Sequence, residues 1–293
     1  MAHLFTGIGV AVATPFYNNE VDYDSFTRHL EFLIENNIQC LVISGTTGEG
    51  STLSRDEKKQ LLEIAVKTAA GKVPVIAGTG SNVTQASIEA SRDAKDIGVD
   101  GLLLITPYYN KTSQAGLIQH FTAIVDATDL PTILYNVPAR TGMTIAPETV
   151  QTLSKHENIV GLKDATGDLN YFTQTKLLTD GSFAFYSGND DTALPYLALG
   201  GNGVISVAAN VLPNEYQTMY ERTLDNLSEA RGIHYRLYPI LTALGVDVNP
   251  IPIKALTAHL GFGNYELRLP LVPLEANERE ILIQQFDSLK AGV

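Results

Sequence analysis

The chain has 293 residues, 44% of them hydrophobic, which is enough for one α/β barrel or two smaller domains. Its 20 basic and 32 acidic side chains leave a net charge of −12, which argues against nucleic acid or an anionic membrane as the main partner. An anionic substrate would need particular arginines or lysines to attract it locally. The one cysteine, Cys40, excludes an intrachain disulfide, fits a reducing compartment, and reads as a buried thiol in the run Cys40-Leu41-Val42-Ile43.

The opening "MAHLFTGIGVAVATPF" has no basic start, is broken by glycines and ends in Thr14-Pro15. It predicts neither a secretory signal nor a membrane span, and the cytoplasm is the expected location. Along the chain, short runs rich in Val, Ile and Leu fall at 7–13, 40–45, 73–78, 101–106, 131–136, 158–163, 182–187 and 203–207. Amphipathic stretches such as 23–37, 54–70, 82–97 and 113–127 lie between them. Strands apolar throughout and joined by helical crossovers predict a parallel sheet covered on both faces. Eight such units predict a (β/α)₈ TIM barrel. A doubly wound sheet is the competitor, but no Gly-x-Gly-x-x-Gly follows the first run.

After residue 211 the strand signals stop, and 213–226, 228–243, 252–260 and 275–288 read as helices. The expected organisation is a catalytic barrel over 1–223 with a C-terminal helical extension over 224–293.

In such a barrel, reactive groups sit at the C-terminal ends of the strands. Reading the run ends in order gives Thr46 and Thr47, Thr79, then Thr106, Tyr108 and Tyr109. Tyr135, Asn136 and Arg140 follow, then Lys163 and Asp164, then Ser187, Gly188 and Asn189, and finally Ser206. Lys163 is the unusual member, because it closes the apolar run Ile159-Val160-Gly161-Leu162. A lysine there is either a snorkelling surface residue or a reactive amine in a dry pocket, and the shared mouth favours the pocket. Its two enzymatic uses are a direct Schiff base with a carbonyl substrate and an anchor for pyridoxal phosphate. The glycine-rich stretch Gly200-Gly201-Asn202-Gly203 precedes the eighth run and so falls at the wrong end for a phosphate cradle. Direct imine chemistry with no cofactor is therefore expected.

That chemistry needs a neutral amine, which burial and a nearby cation such as Arg140 would favour. It also needs a proton shuttle, for which Thr46, Tyr109 and Tyr135 offer hydroxyls; each tyrosine could equally be a packing residue. "GTTGEG" at 45–50 reads either as a backbone anion site, for a carboxylate rather than a phosphate, or as an ordinary turn. None of the six histidines falls at the rim or has metal-ligand spacing, so no metal is expected. Asp164 reads as a structural group at the strand-to-helix turn, and Gly167-Asp168 as a turn and helix cap.

"GTTGE" at 45–49, "TPYYNK" at 106–111, "YNVPARTG" at 135–142, "GLKDATGD" at 161–168 and "SGND" at 187–190 together closely resemble the dihydrodipicolinate synthase (4-hydroxy-tetrahydrodipicolinate synthase) branch of the pyruvate-dependent class I aldolases. That family also contains N-acetylneuraminate lyase. The resemblance implies a lyase of diaminopimelate and lysine biosynthesis that condenses pyruvate with L-aspartate 4-semialdehyde. It makes Lys163 the imine-forming residue and Thr46, Tyr135 and Tyr109 the proton relay, with Tyr109 crossing from a neighbouring subunit of a homodimer or homotetramer. It assigns the pyruvate carboxylate to Thr47 and the backbone around Ile205, places Gly188 in the pocket wall, and gives Arg140 the aldehyde substrate's carboxylate. Asn189 stands where the family often has aspartate.

In family members inhibited by lysine, the effector positions match Gly50, Ser51, Arg55, Lys58, Asn82 and Ala86. The positive Arg55 and Lys58, with Ala86 in place of an acidic partner, predict weak or no inhibition by lysine here. The rival readings are a related aldolase acting on sugar acids and a non-catalytic barrel that binds a keto acid.

Overall fold

The structure, a computed structural model, describes residues 3–292. In chain order it runs β1 (Gly7–Ala11), β2 (Phe16–Tyr17), β3 (Glu20–Val21), α1 (Tyr23–Glu35), β4 (Cys40–Ile43), α2 (Arg55–Ala69), β5 (Val75–Gly78) and α3 (Thr84–Ile97). There follow β6 (Gly101–Ile105), α4 (Gln114–Asp126), β7 (Thr132–Asn136), α5 (Pro138–Thr141), α6 (Pro147–Leu153), β8 (Ile159–Asp164) and α7 (Leu169–Leu178). The last elements are β9 (Ala184–Ser187), α8 (Ala193–Ala198), β10 (Gly203–Ser206), α9 (Pro213–Asp225), α10 (Leu227–Ala243), α11 (Ile251–His259) and α12 (Ala276–Ala291). All eight expected strands close one parallel barrel in the order β1-β10-β9-β8-β7-β6-β5-β4. The β2–β3 hairpin, turned by Asn18 and Asn19 at positive φ, lies outside the barrel and was not expected from the sequence.

The barrel closes because its strands are apolar on both faces. Ile8, Val10, Leu41, Ile43, Leu102 and Leu104 point outward under the helices. Their neighbours Ala11, Cys40, Val42, Ile76, Leu103 and Ile133 fill the interior, following the two-residue period of a strand. Phe5 plugs the lower end, stacked on Tyr186 with ring centroids 4.3 Å apart, and Tyr186 donates its hydroxyl hydrogen to the Phe5 carbonyl at 2.8 Å. Burial pushes the Cys40 thiol well up, as suits a structural cysteine. The first strand is shorter than its apolar run. Val12 N still donates to the Val42 carbonyl at 3.0 Å, and beyond it Asn210 takes over, accepting from Ala13 N at 3.0 Å and donating to Ala11 O at 2.8 Å.

The phase of β8 decides where Lys163 points. Ile159 and Leu162, three residues apart, both pack outward, which strict alternation forbids. The register shifts between Thr132/Ile133 of β7 and β8, so that Thr132 pairs with Ile159 and Ile133 with Gly161. Val160 is the extra residue of this irregularity, and one inserted residue flips every following side chain to the other face. Lys163 thereby turns inward, level with Tyr135 on one side and Tyr186 on the other. Gly161 is required beside it, since a Cβ there would lie 2.8 Å from the Ala184 carbonyl oxygen.

The Gly200–Gly203 stretch leads into the N-terminal end of β10, where Gly203 pairs with Gly7, at the opposite rim from Lys163. The helices α10, α11 and α12 follow the last strand as a helical segment packed on the barrel's helices. Among the described residues no helix is long and apolar enough to cross a membrane.

Candidate active site

A cavity of about 720 Å³ opens at the C-terminal rim of the barrel. Thr46, Thr47, Tyr135, Arg140, Lys163 and Gly188 all line it. Lys163 is 5% exposed, its Nζ lies 4.4 Å from the centroid of the Tyr135 ring, and no carboxylate forms a salt bridge with it among the described residues. Burial lowers its pKa to about 8; Asp190 opposes that shift from a distance and Arg140 adds to it. The neutral amine is thus a minor but accessible form near neutral pH, far more populated than for an ordinary lysine. Gly188 makes room for the side chain, since a Cβ there would come within 3.1 Å of Lys163 Cε.

The Tyr135 phenol is pushed up by burial, while Arg140 and then the adjacent Thr46 hydroxyl draw it back. Thr47 is almost fully buried, and its hydroxyl oxygen accepts from Asn249 Nδ2 at 3.0 Å. The amides of Thr46 and Thr47 donate to no other backbone group among the described residues, leaving them available to an anion. Arg140, on the one-turn α5, is exposed and donates from Nη2 to the Asn249 carbonyl at 2.9 Å.

Other expected members stand elsewhere. Tyr109 is 93% exposed, with φ 69°, and does not line the cavity of its own chain, although Tyr108 does. Ile205 is fully buried in the barrel interior beneath the cavity, and Val207 takes the lining position. The Asp164 carboxylate accepts from Thr166 N at 2.9 Å and Thr166 Oγ1 at 2.7 Å, and burial raises its pKa to about 6. Asp168 caps α7 by accepting from Asn170 N at 2.8 Å. No histidine lines the cavity, and the described residues contain no cluster of three or more His, Cys, Asp or Glu able to hold a metal.

Several residues at the cavity carried no weight in the sequence. Asp190 accepts from Ser206 Oγ at 2.6 Å, Val207 N at 2.9 Å and Ala208 N at 2.8 Å, fixing the turn after β10. Its position inside "SGND" was the available signal. Glu49 and Lys254 form a salt bridge with side chains 1% and 2% exposed, and nothing local marks either residue as buried. Arg55 is committed to Asp93, which removes much of the positive charge expected at the effector position. Lys58 lines the cavity and forms no salt bridge among the described residues; burial lowers its pKa.

A closed (β/α)₈ barrel with a dry amine at its catalytic rim, backed by hydroxyls and an arginine, is the arrangement of a carbonyl-handling barrel enzyme. Comparison with known proteins is specific. The model of the dihydrodipicolinate synthetase family matches residues 4–288, and the chain belongs to that family. A 4-hydroxy-tetrahydrodipicolinate synthase of Macrococcus caseolyticus is 56% identical over 288 residues, covering 98% of this chain and 97% of the relative. The crystal structure of the dihydrodipicolinate synthase from Thermotoga maritima superposes with a TM-score of 0.96 at 40% identity, covering 98% of this chain and 99% of that one. The enzyme from Cyanidioschyzon merolae, crystallised with lysine bound, superposes with the same score at 41% identity, covering 99% of both chains.

Proposed function

We propose that the chain condenses pyruvate with L-aspartate 4-semialdehyde to give 4-hydroxy-tetrahydrodipicolinate, as a cytoplasmic lyase of lysine and diaminopimelate biosynthesis. The observation that carries the reading is the buried, unpaired Lys163, with its pKa lowered to about 8 and Tyr135 against it. Neutral Lys163 attacks the pyruvate carbonyl and water leaves, forming an imine. Loss of a C3 proton gives an enamine, whose C3 attacks the aldehyde carbon. The substrate's amino group then attacks C2 and displaces Lys163, closing the ring. No cofactor enters this scheme, because the protonated imine is itself the electron sink.

Thr46 and Tyr135 carry protons between these steps, and Tyr109 completes the relay from a second copy of the chain. The exposure of Tyr109 supports this, since a phenol projecting from its own chain is free to enter another. The chain is accordingly a homodimer or homotetramer. Thr47 and the backbone near Ile205 hold the pyruvate carboxylate, Gly188 shapes the wall, and Arg140 takes the aldehyde's carboxylate with its planar fork. Asn189 offers an amide oxygen to the substrate's amino group, and Asp190 cannot replace it because its carboxylate is committed to the β10 turn. The catalytic unit is the barrel over 1–223, and 224–293 extends it.

Turnover with pyruvate against a panel of aldehydes tests the reading. L-aspartate 4-semialdehyde is the expected substrate. Preference for a sugar-derived aldehyde would favour the sugar-acid aldolase, and pyruvate binding without turnover would favour a non-catalytic keto-acid receptor.

A further inference from the structure

The loop that carries Thr46 and Thr47 is held in an unfavourable shape. Ser44 and Glu49 both have positive φ, 58° and 50°, a region that non-glycine residues enter only when their surroundings demand it. The loop closes tightly on itself: a Cβ on Gly50 would lie 2.1 Å from the Ser44 carbonyl oxygen. Within the loop Glu49 N donates to the Thr46 carbonyl and Gly50 N to the Gly45 carbonyl, each at 3.1 Å, and Thr14 Oγ1 donates to the Gly48 carbonyl at 2.8 Å.

A second set of restraints, on the loop's side chains, comes from the C-terminal extension. Glu49 Oε1 pairs with Lys254 Nζ of α11, and Glu49 Oε2 accepts from Arg268 N at 3.1 Å. Lys254 Nζ lies 4.1 Å from the centroid of the Phe16 ring, and the Arg268 guanidinium 4.4 Å from the same ring. Arg268 is itself anchored by Glu57 at 2.6 and 2.9 Å, and it donates to the Thr52 carbonyl at 3.2 Å. Nearer the cavity, Asn249 Nδ2 donates to Thr47 Oγ1 at 3.0 Å, while its own carbonyl accepts from Arg140 at 2.9 Å.

We propose that Lys254 and Asn249 are positioning residues, through which the C-terminal extension holds the 44–50 loop in the form that receives the pyruvate carboxylate. This deepens the reading of Thr47 as a pyruvate-holding residue and rests on it. Lys254 fixes the loop's base by balancing the buried Glu49 charge. Asn249 fixes the Thr47 hydroxyl and joins it to Arg140, so that the two substrate subsites share one hinge point. Neither residue is expected to touch the reacting carbons.

The test is pyruvate-dependent imine formation in the full chain, read as borohydride-trapped adduct by intact mass over a range of pyruvate concentrations, with no aldehyde present. Asn249→Ala removes one neutral hydrogen bond and should raise half-saturating pyruvate roughly fivefold, with the thermal midpoint nearly unchanged. Lys254→Met strands a buried carboxylate and should raise it about tenfold or more, with Lys254→Arg recovering part of the loss. Because Lys254→Met can fail to fold, Asn249→Ala carries the decision in that case. Unchanged half-saturation in Asn249→Ala, together with unchanged half-saturation in any folded Lys254→Met, would overturn the proposal. A wild-type chain that traps no pyruvate would overturn the site reading itself, and this inference with it.

Discussion

Two buried lysines in one molecule have opposite partners. Lys254 sits in α11 with its ammonium against Glu49, and Lys163 sits at the end of β8 against the Tyr135 ring with no ion pair. Burial lowers both pKa values to about 8, opposed by the attraction of Asp190 for Lys163 and of Glu49 for Lys254. The difference teaches what burial alone does not decide. What separates the two is the partner: a buried amine held by a carboxylate is a structural contact, whereas one facing an aromatic wall with no bonded carboxylate is free to act as a nucleophile.

Substitution of each lysine by methionine should break this comparison most visibly. Lys163→Met should lower turnover about a thousandfold or more, because Lys58, the other lysine lining the cavity, does not stand against Tyr135 as Lys163 does. The same change removes a desolvated charge, so chemical unfolding at pH 7 should show the variant at least as stable as the parent. Lys254→Met should do the reverse to stability, costing about 3–5 kcal/mol by leaving Glu49 buried and unpaired. A strongly destabilised Lys163→Met, or a neutral Lys254→Met, would erase the distinction.

The pH dependence sharpens it. Between about pH 8 and its ordinary range near 10.5, Lys163 binds fewer protons in the folded chain than in the unfolded one. Its burial penalty is therefore fully present below about pH 8 and fades as pH rises through that window. Pyruvate imine formation should climb through an inflection near pH 8, the value at which the amine becomes neutral, in stopped-flow or trapping measurements. Lys163→Met, having no such group, should lose the corresponding slope from its stability curve. An inflection near pH 10.5 would mean that the amine is not desolvated.

Smaller effects belong to the rim. Arg140→Ala should reduce kcat/KM for the semialdehyde by roughly 30-fold, about 2 kcal/mol for a rim-exposed charge contact, while imine formation with pyruvate changes little. Equal damage to both steps would remove Arg140 from its role as the aldehyde selector. For lysine as an effector, half-inhibition above about a millimolar is expected, an affinity weaker than roughly 4 kcal/mol. With Arg55 neutralised by Asp93, Lys58 is the main source of that resistance. Lys58→Ala is therefore the variant in which inhibition should strengthen.

The barrel was legible in the sequence because parallel strands buried on both faces appear as unbroken apolar runs. The rim residues were legible because each follows such a run. That Lys163 faces the pocket was expected from its place at the rim, but the extra residue Val160 that turns it inward was not, since no periodicity reveals it. The Ile205 side chain is buried in the barrel interior, so its expected part in the site falls to the backbone there, which residue type does not reveal. Tyr109 shares "TPYYNK" with Tyr108, yet its positive φ sends it away from its own cavity. Glu49 and Lys254 were illegible as a pair for a simpler reason: they are 205 positions apart, and each looks like a solvated charge until the fold brings them together.

The central claim is that Lys163 is the imine-forming amine, and one measurement addresses it directly. The chain is incubated with pyruvate, reduced with borohydride, digested, and the modified peptide identified by mass. A single pyruvate-derived adduct on Lys163 is the predicted result. An adduct on Lys254 or Lys111 in its place, or none at all, would contradict the account.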